Sequence, residues 1–202
     1  MEYNPHKREI KLNKRLSNLD KFVIKFTDLL DEYVIVSGYV SILLGRTRAT
    51  EDVDLLIPHL EKEKFENLWK KIHDSGFICV TNSDPDDAFD MLKETAIRFS
   101  RPGKPLPNIE FKTIKTDLDK YSYENRIVVI LNQEKFFISP LEMQIVYKLF
   151  LAADGTDEEL KSDKDVEDAR HLYKVFEEKL NKEELLILLN KLNVEKKLRL
   201  LK

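Results

Sequence analysis

A chain of 202 residues with 42% apolar content can bury a full core, in one domain or one and a half. Its formal net charge of −3 supplies no global positive field for nucleic acid, which leaves only local basic patches for such contacts. The single cysteine excludes a disulfide framework and zinc-type cysteine pairing, and no apolar run approaches the roughly 18 residues of a membrane span.

Residues 1–15 are studded with Lys, Arg and Glu and lack an apolar signal core, so a cytoplasmic protein is expected. Leu16, Leu19, Val23, Phe26 and Leu30 recur at spacings of three and four, which predicts an amphipathic helix before residue 33. Tyr33 to Val36 reads as a short β-branched strand stopped by Ser37-Gly38. The apolar segment 39–44 predicts a helix of under two turns, ending at Gly45. Residues 53–57 form a second strand, closed by Pro58. Phe65, Leu68, Trp69 and Ile72 then lie on one helix face, with Gly76 where a C-terminal cap belongs.

Further strands are expected at 77–80, 95–99 and 109–114, with 101–107 as the loop joining the last two. Residues 126–131 and 135–138 read as a hairpin across Asn132-Gln133. From Pro140 onward the pattern is helical over 140–153, 163–179 and a Leu-rich 182–201. The expected architecture is α/β, of the α+β kind, with a helical region at the end.

Two carboxylates stand out, because Asp52 and Asp54 open an apolar strand in which Asp is unfavourable. Side chains two apart on a strand share a face, about 6.5–7 Å apart at Cα by the strand rise. Two carboxylates so placed can converge on one or two magnesium ions, which take carboxylate oxygens together with substrate phosphates. A solvated strand edge is the structural alternative. Ser37-Gly38, at a strand end before a helix start, lets backbone N–H groups approach a phosphate; taken alone it is an ordinary turn. A third acid on a neighbouring strand would complete the set. Glu110 is the candidate, sharing a face with Lys112 while Ile109 and Phe111 point the other way; the polar face of a half-buried sheet explains it equally.

These residues resemble the nucleotidyltransferase family whose fold is shared with DNA polymerase β. The resemblance extends to its minimal archaeal and bacterial branch, which includes the AbiE-type nucleotidyltransferase toxins. It is carried by Ser37-Gly38, Arg48-Ala49-Thr50-Glu51-Asp52-Val53-Asp54, Glu110, Ser139-Pro140-Leu141-Glu142-Met143, Lys148-Leu149 and Lys164-Asp165-Val166-Glu167-Asp168, across residues 33–178. Two departures from the pattern are Ser37 where glycine is usual and Glu110 where the third acid is often Asp.

The resemblance implies a mixed sheet flanked by helices. Residues 1–138 would be an α/β domain with an N-terminal helix, and 139–202 a helical region packed on it. It implies Asp52, Asp54 and Glu110 as catalytic metal ligands for two Mg2+ ions, with Mn2+ as the alternative ion. It further implies Ser37, Gly38, Arg48, Lys148 and Asp165 as contacts for a nucleoside triphosphate such as ATP. The implied reaction moves a nucleoside monophosphate to an acceptor hydroxyl on tRNA, protein or a small molecule. A toxin of this kind would pair with an antitoxin protein, and neither partner is a membrane. A non-catalytic member that binds a nucleotide or a partner is the rival reading.

Lys148 lies in an otherwise apolar helix, where an unpaired ammonium is costly to bury; snorkelling is its structural explanation. Ser162-x-x-Asp165 resembles a capping box, which would explain Asp165 without function. In the segment 81–90, Asn82, Asp84 and Asp86 alternate, but the sixth-position Gly and twelfth-position Glu of a calcium loop are missing. Asp84-Pro85-Asp86-Asp87 instead predicts a helix start. The histidines are scattered without metal-ligand spacing, and Cys79 reads as a core residue.

Overall fold

The computed structural model describes residues 1–152, 155–160 and 162–201. Among these, nine strands form one mixed sheet. In chain order they are β1 (Glu2–Asn4), β2 (Glu9–Leu12), β3 (Val34–Val36), β4 (Asp52–Ile57), β5 (Ile78–Cys79), β6 (Ile97–Arg101), β7 (Lys104–Thr113), β8 (Ile127–Leu131) and β9 (Glu134–Ile138). Their spatial order is β1-β2-β8-β9-β3-β4-β7-β6-β5. The pairs β2–β8, β3–β9 and β4–β7 are parallel, and the remaining neighbours are antiparallel. The helices are α1 (Asn18–Thr27), α2 (Gly38–Leu43), α3 (Lys62–Asp74), α4 (Pro85–Glu94), α5 (Asp117–Glu124), α6 (Leu141–Leu151), α7 (Asp157–Leu160), α8 (Lys164–Phe176) and α9 (Lys182–Lys191). A 3-10 segment, Glu195–Leu201, follows.

Alternation along β4 and β7 sets the two faces of the central sheet. Val53, Leu55 and Ile57 are buried with Ile109 and Phe111. Phe26 of α1 meets Phe111, Phe99 and Phe77 at ring separations of 6.0, 5.5 and 5.1 Å. Trp69 of α3 meets Phe99 at 5.7 Å. The intervening residues of both strands carry the charges. The helical region is built around α6, whose side chains are buried on nearly every side, as expected of a helix that is apolar all round. It packs against α8 and α9, and residues on both sides of position 139 join one hydrophobic cluster. No described helix is long and apolar enough to cross a membrane.

The expected elements from α1 to β6 are present, and Asp84 caps α4 with Pro85 in the first turn. Other regions differ. Residues 104–107 extend β7 instead of forming a loop, because the chain reverses tightly at Pro102-Gly103, where Gly103 takes a φ of 70°. The final helix stops at Lys191, since Asn193 adopts a left-handed φ of 56° and ends it. Strands β1 and β2 and helices α5 and α7 are additions to the predicted set, and position 153, the end of the expected helix 140–153, lies outside the described residues. Helix α5 carries its own start signal, a capping box between Thr116 and Asp119.

Helix α1 is fixed by another capping box, and its Asp20 is 1% exposed. That carboxylate accepts from the Ser17 backbone N–H at 2.8 Å and from the Tyr39 hydroxyl at 2.8 Å, with Lys14 at 3.2 Å. Burial alone would raise its pKa, but the bonds from Ser17 and Tyr39 outweigh burial and hold it below the ordinary 3.8. A folded-state pKa below the unfolded one adds stability above 3.8 that disappears as pH falls through the folded value. Asp20→Asn should therefore lower unfolding free energy at neutral pH by about 1.5–3 kcal/mol, the range for hydrogen bonds to a charged group. Urea titrations at decreasing pH should show the gap to wild type narrowing below the ordinary Asp range. A gap independent of pH would place the contribution elsewhere.

Candidate active site

The parallel pairing of β4 with β7 sets Asp52 opposite Asn108 and Asp54 opposite Glu110. Arg98 of β6 lies opposite Glu110 on its other side. This polar face borders a cleft of about 340 Å3, walled by Ser37, Asp54, Lys112, Ser139, Gln144 and Tyr147 among others. The sheet thus brings Asp54 and Glu110 together, and Ser37 shares the cleft with Asp54.

Cations already stand among the acids. The Lys112 ammonium donates to Asp54 Oδ1 at 3.1 Å and also contacts Glu110 Oε1. Arg98 donates to Glu110 Oε2. Asn108 donates to Asp52 Oδ1 at 3.0 Å. Burial pushes the Asp54 carboxyl up, and the adjacent Lys112 only partly opposes it. Burial would raise Glu110 as well, but Lys112 and Arg98 outweigh it and hold that carboxyl below its usual range. Burial would lower the Lys112 ammonium, which Glu110 and Asp54 instead hold above its usual value.

The turn after β3 is strained. Ser37 has φ 62° and ψ −137°, a backbone conformation natural to glycine and unfavourable for a side chain. Its neighbour Gly38 is small for another reason. A Cβ there would sit 2.6 Å from Arg48 Nη2, so the guanidinium closes over the turn only because position 38 lacks a side chain. Thr50 donates to the Asp52 carbonyl at 3.0 Å and holds the entry to β4.

Arg48, Lys148 and Asp165 come together in a second charge cluster. Arg48 holds Asp168 through Nε at 3.0 Å and Nη2 at 2.8 Å, a two-pronged contact suited to a guanidinium. The Lys148 ammonium lies 2.5 Å from Asp165 Oδ1 and 3.2 Å from Asp168 Oδ2. Arg46 adds contacts to Glu167 and, at 3.7 Å, to Asp168. Lys148 is 3% exposed and Asp168 fully buried. Lys148 is therefore neither unpaired nor snorkelling. Asp165 is also not the partner in a Ser162 capping box: Asp163 caps α8, accepting from the backbone N–H of Asp165 at 2.8 Å.

Metal fit can be judged from the donors. Among the described residues, no three His, Cys, Asp or Glu side chains stand close enough together to hold one ion. Asp52 and Asp54 are nevertheless hard oxygen donors on one face, and Asn108 Oδ1 is buried without a hydrogen-bond partner beside Asp52. The Lys112 ammonium marks a point where a cation meets both Asp54 and Glu110. Such a sparse set fits a magnesium-type ion completed by substrate phosphates and water. Sequence reading did not single out Asn108, Arg98, Gln144 or Tyr147. The first could have been found, since Asn108, Glu110 and Lys112 alternate with the apolar residues of one strand.

No family model matches the sequence, and no significant match exists among curated proteins. Solved structures do resemble the fold. An antigenic nucleotidyltransferase-like protein from Paracoccidioides brasiliensis is 20% identical, with 89% of this chain and 88% of that chain covered and a TM-score of 0.51. ANT(2")-Ia, solved in complex with adenylyl-2"-tobramycin, is 13% identical, with 88% and 98% covered and a TM-score of 0.56. The fold is the nucleotidyltransferase type: a mixed sheet flanked by helices and followed by a helical region.

Two stability measurements follow from the site. Ser37→Gly should raise unfolding free energy by about 1 kcal/mol, the low end for relieving a strained non-glycine backbone. A loss in urea titration would mean that the hydroxyl contributes more than the strain costs. Lys148→Met should lower stability by about 3–5 kcal/mol, because it leaves buried carboxylates without their ammonium. Unchanged stability would show that Asp165 and Asp168 do not depend on it.

Proposed function

We propose that the chain is a magnesium-dependent nucleotidyltransferase that moves a nucleoside monophosphate from a nucleoside triphosphate to an acceptor hydroxyl. The observation that carries this reading is the register of β4 on β7. Asp52 and Asp54 share one strand face, Glu110 lies opposite Asp54, and Ser37 lines the same cleft as Asp54 in a nucleotidyltransferase-type fold.

In this reading Asp52 and Asp54 hold Mg2+, or Mn2+ in its place, with Glu110 as the third acid. Bound metal would offset triphosphate charge and lower the pKa of the acceptor hydroxyl. The Ser37-Gly38 backbone offers N–H groups to the phosphates. Glu110 is held ionised by Lys112 and Arg98 and fixes their positive charge beside the reacting groups, while the hydroxyl proton passes to solvent water. The acceptor oxygen then bonds to the α-phosphorus as the bond to the pyrophosphate oxygen breaks. Arg48, Lys148 and Asp165 act by position: Arg48 links Asp168 to the turn at Gly38, Lys148 holds Asp168, and Asp165 holds the Lys148 ammonium. Residues 1–138 carry the acids and 139–202 supply the helices that brace them.

A small hydroxylated molecule is the acceptor class favoured here. ANT(2")-Ia was solved with adenylyl-2"-tobramycin, an adenylylated small molecule. Purified chain should be incubated with Mg2+, each of the four α-labelled triphosphates, and separate small-molecule, tRNA and protein fractions. Label is expected in the small-molecule fraction. Asp52→Asn with Asp54→Asn should cut the rate by at least about 100-fold, the scale set by removing metal-based charge stabilisation. Label in tRNA or protein would instead assign a macromolecular acceptor and the toxin-with-antitoxin role. Absence of transfer from every triphosphate would leave a non-catalytic nucleotide- or partner-binding protein.

A further inference from the structure

We propose that Lys112 stands in the place of a second divalent ion, so that the chain binds a single divalent cation with its triphosphate. This rests on the nucleotidyltransferase reading above and specifies how its acidic site is neutralised.

Lys112 follows Glu110 by two residues on β7, so both side chains rise from the same sheet face. Its ammonium bridges Asp54 Oδ1, at 3.1 Å, and Glu110 Oε1. Those two carboxylates lie opposite each other in the β4–β7 register, where a shared ion would join them. The other oxygen of Glu110, Oε2, is held by Arg98. Both oxygens of the third acid are therefore engaged by cations covalently attached to β7 and β6.

Asp52 differs. Its Oδ1 accepts from the neutral side-chain amide of Asn108 at 3.0 Å, and no cation stands against it among the described residues. With Asp54 Oδ1 taken by Lys112, the oxygens of these three acids that have no cation are those of Asp52 and Asp54 Oδ2, a donor set for one ion. A second divalent ion between Asp54 and Glu110 would stand against the fixed Lys112 ammonium, in direct like-charge contact.

The test counts bound Mn2+ by the loss of its free-ion EPR signal, in the 202-residue chain with a non-hydrolysable α,β-methylene triphosphate, after subtracting the loss in a protein-free triphosphate control. One Mn2+ per chain is expected for wild type and for Lys112→Arg, and two for Lys112→Met and Lys112→Gln. Two ions in wild type overturn the proposal without recourse to any variant and leave the nucleotidyltransferase reading standing. A single ion in both neutral variants overturns it equally. No bound ion in any protein overturns the metal-dependent reading itself, and this proposal with it.

Discussion

The geometry of the site depends on Asp168, a carboxylate with no exposed surface that must be matched by cations where it lies. Arg48 reaches it from the segment before β4 with two nitrogens, and Lys148 reaches it from α6. Including Arg46, Asp165 and Glu167, three cations face three carboxylates. A buried network of this kind adds little net stability over well-packed apolar groups, but breaking one member strands the rest. Its effect here is registration. Arg48 meets Asp168 while its guanidinium lies over Gly38, so one network ties α8, α6 and the turn beside the cleft.

The sheet imposes the second constraint. Because side chains alternate strictly along a strand, a slip of one residue in β4 would send Asp52 and Asp54 into the layer that holds Phe26, Phe99 and Phe111. That aromatic layer makes the register costly to change, and it holds the acids on the cleft side. Within the acidic face the environments then diverge. Asp54 is raised by burial, whereas Glu110 is lowered by its two cationic neighbours despite burial.

Much of the fold was legible because its signals are local. Periodic apolar residues marked α1 and α3, the Asp84-Pro85 start marked α4, a β-branched run marked β3, and the apolar segment closed by Pro58 marked β4. The failures are also physical. Strands β1 and β2 are three and four residues long and gain their identity from pairing with each other and with β8. The first half of β7 contains two prolines and reads as loop, yet its exposed residues are carried by a tight hairpin against β6. Helix α5 has a recognisable capping box but only one buried residue, so its apolar pattern is faint.

The sequence by itself determined that Asp52 and Asp54 share a strand face, that Glu110 and Lys112 share another, and that a turn at Ser37-Gly38 precedes them. Those statements need only the two-residue period of a strand and the conformational habits of short segments. It could not say which strands are neighbours or which ions are partners. The tertiary structure decided that β7 lies beside β4, that Lys112 bridges their carboxylates, and that Lys148 faces α8 rather than water. Ion pairing acts over a few ångströms in space between residues distant along the chain, and only packing fixes which of them meet.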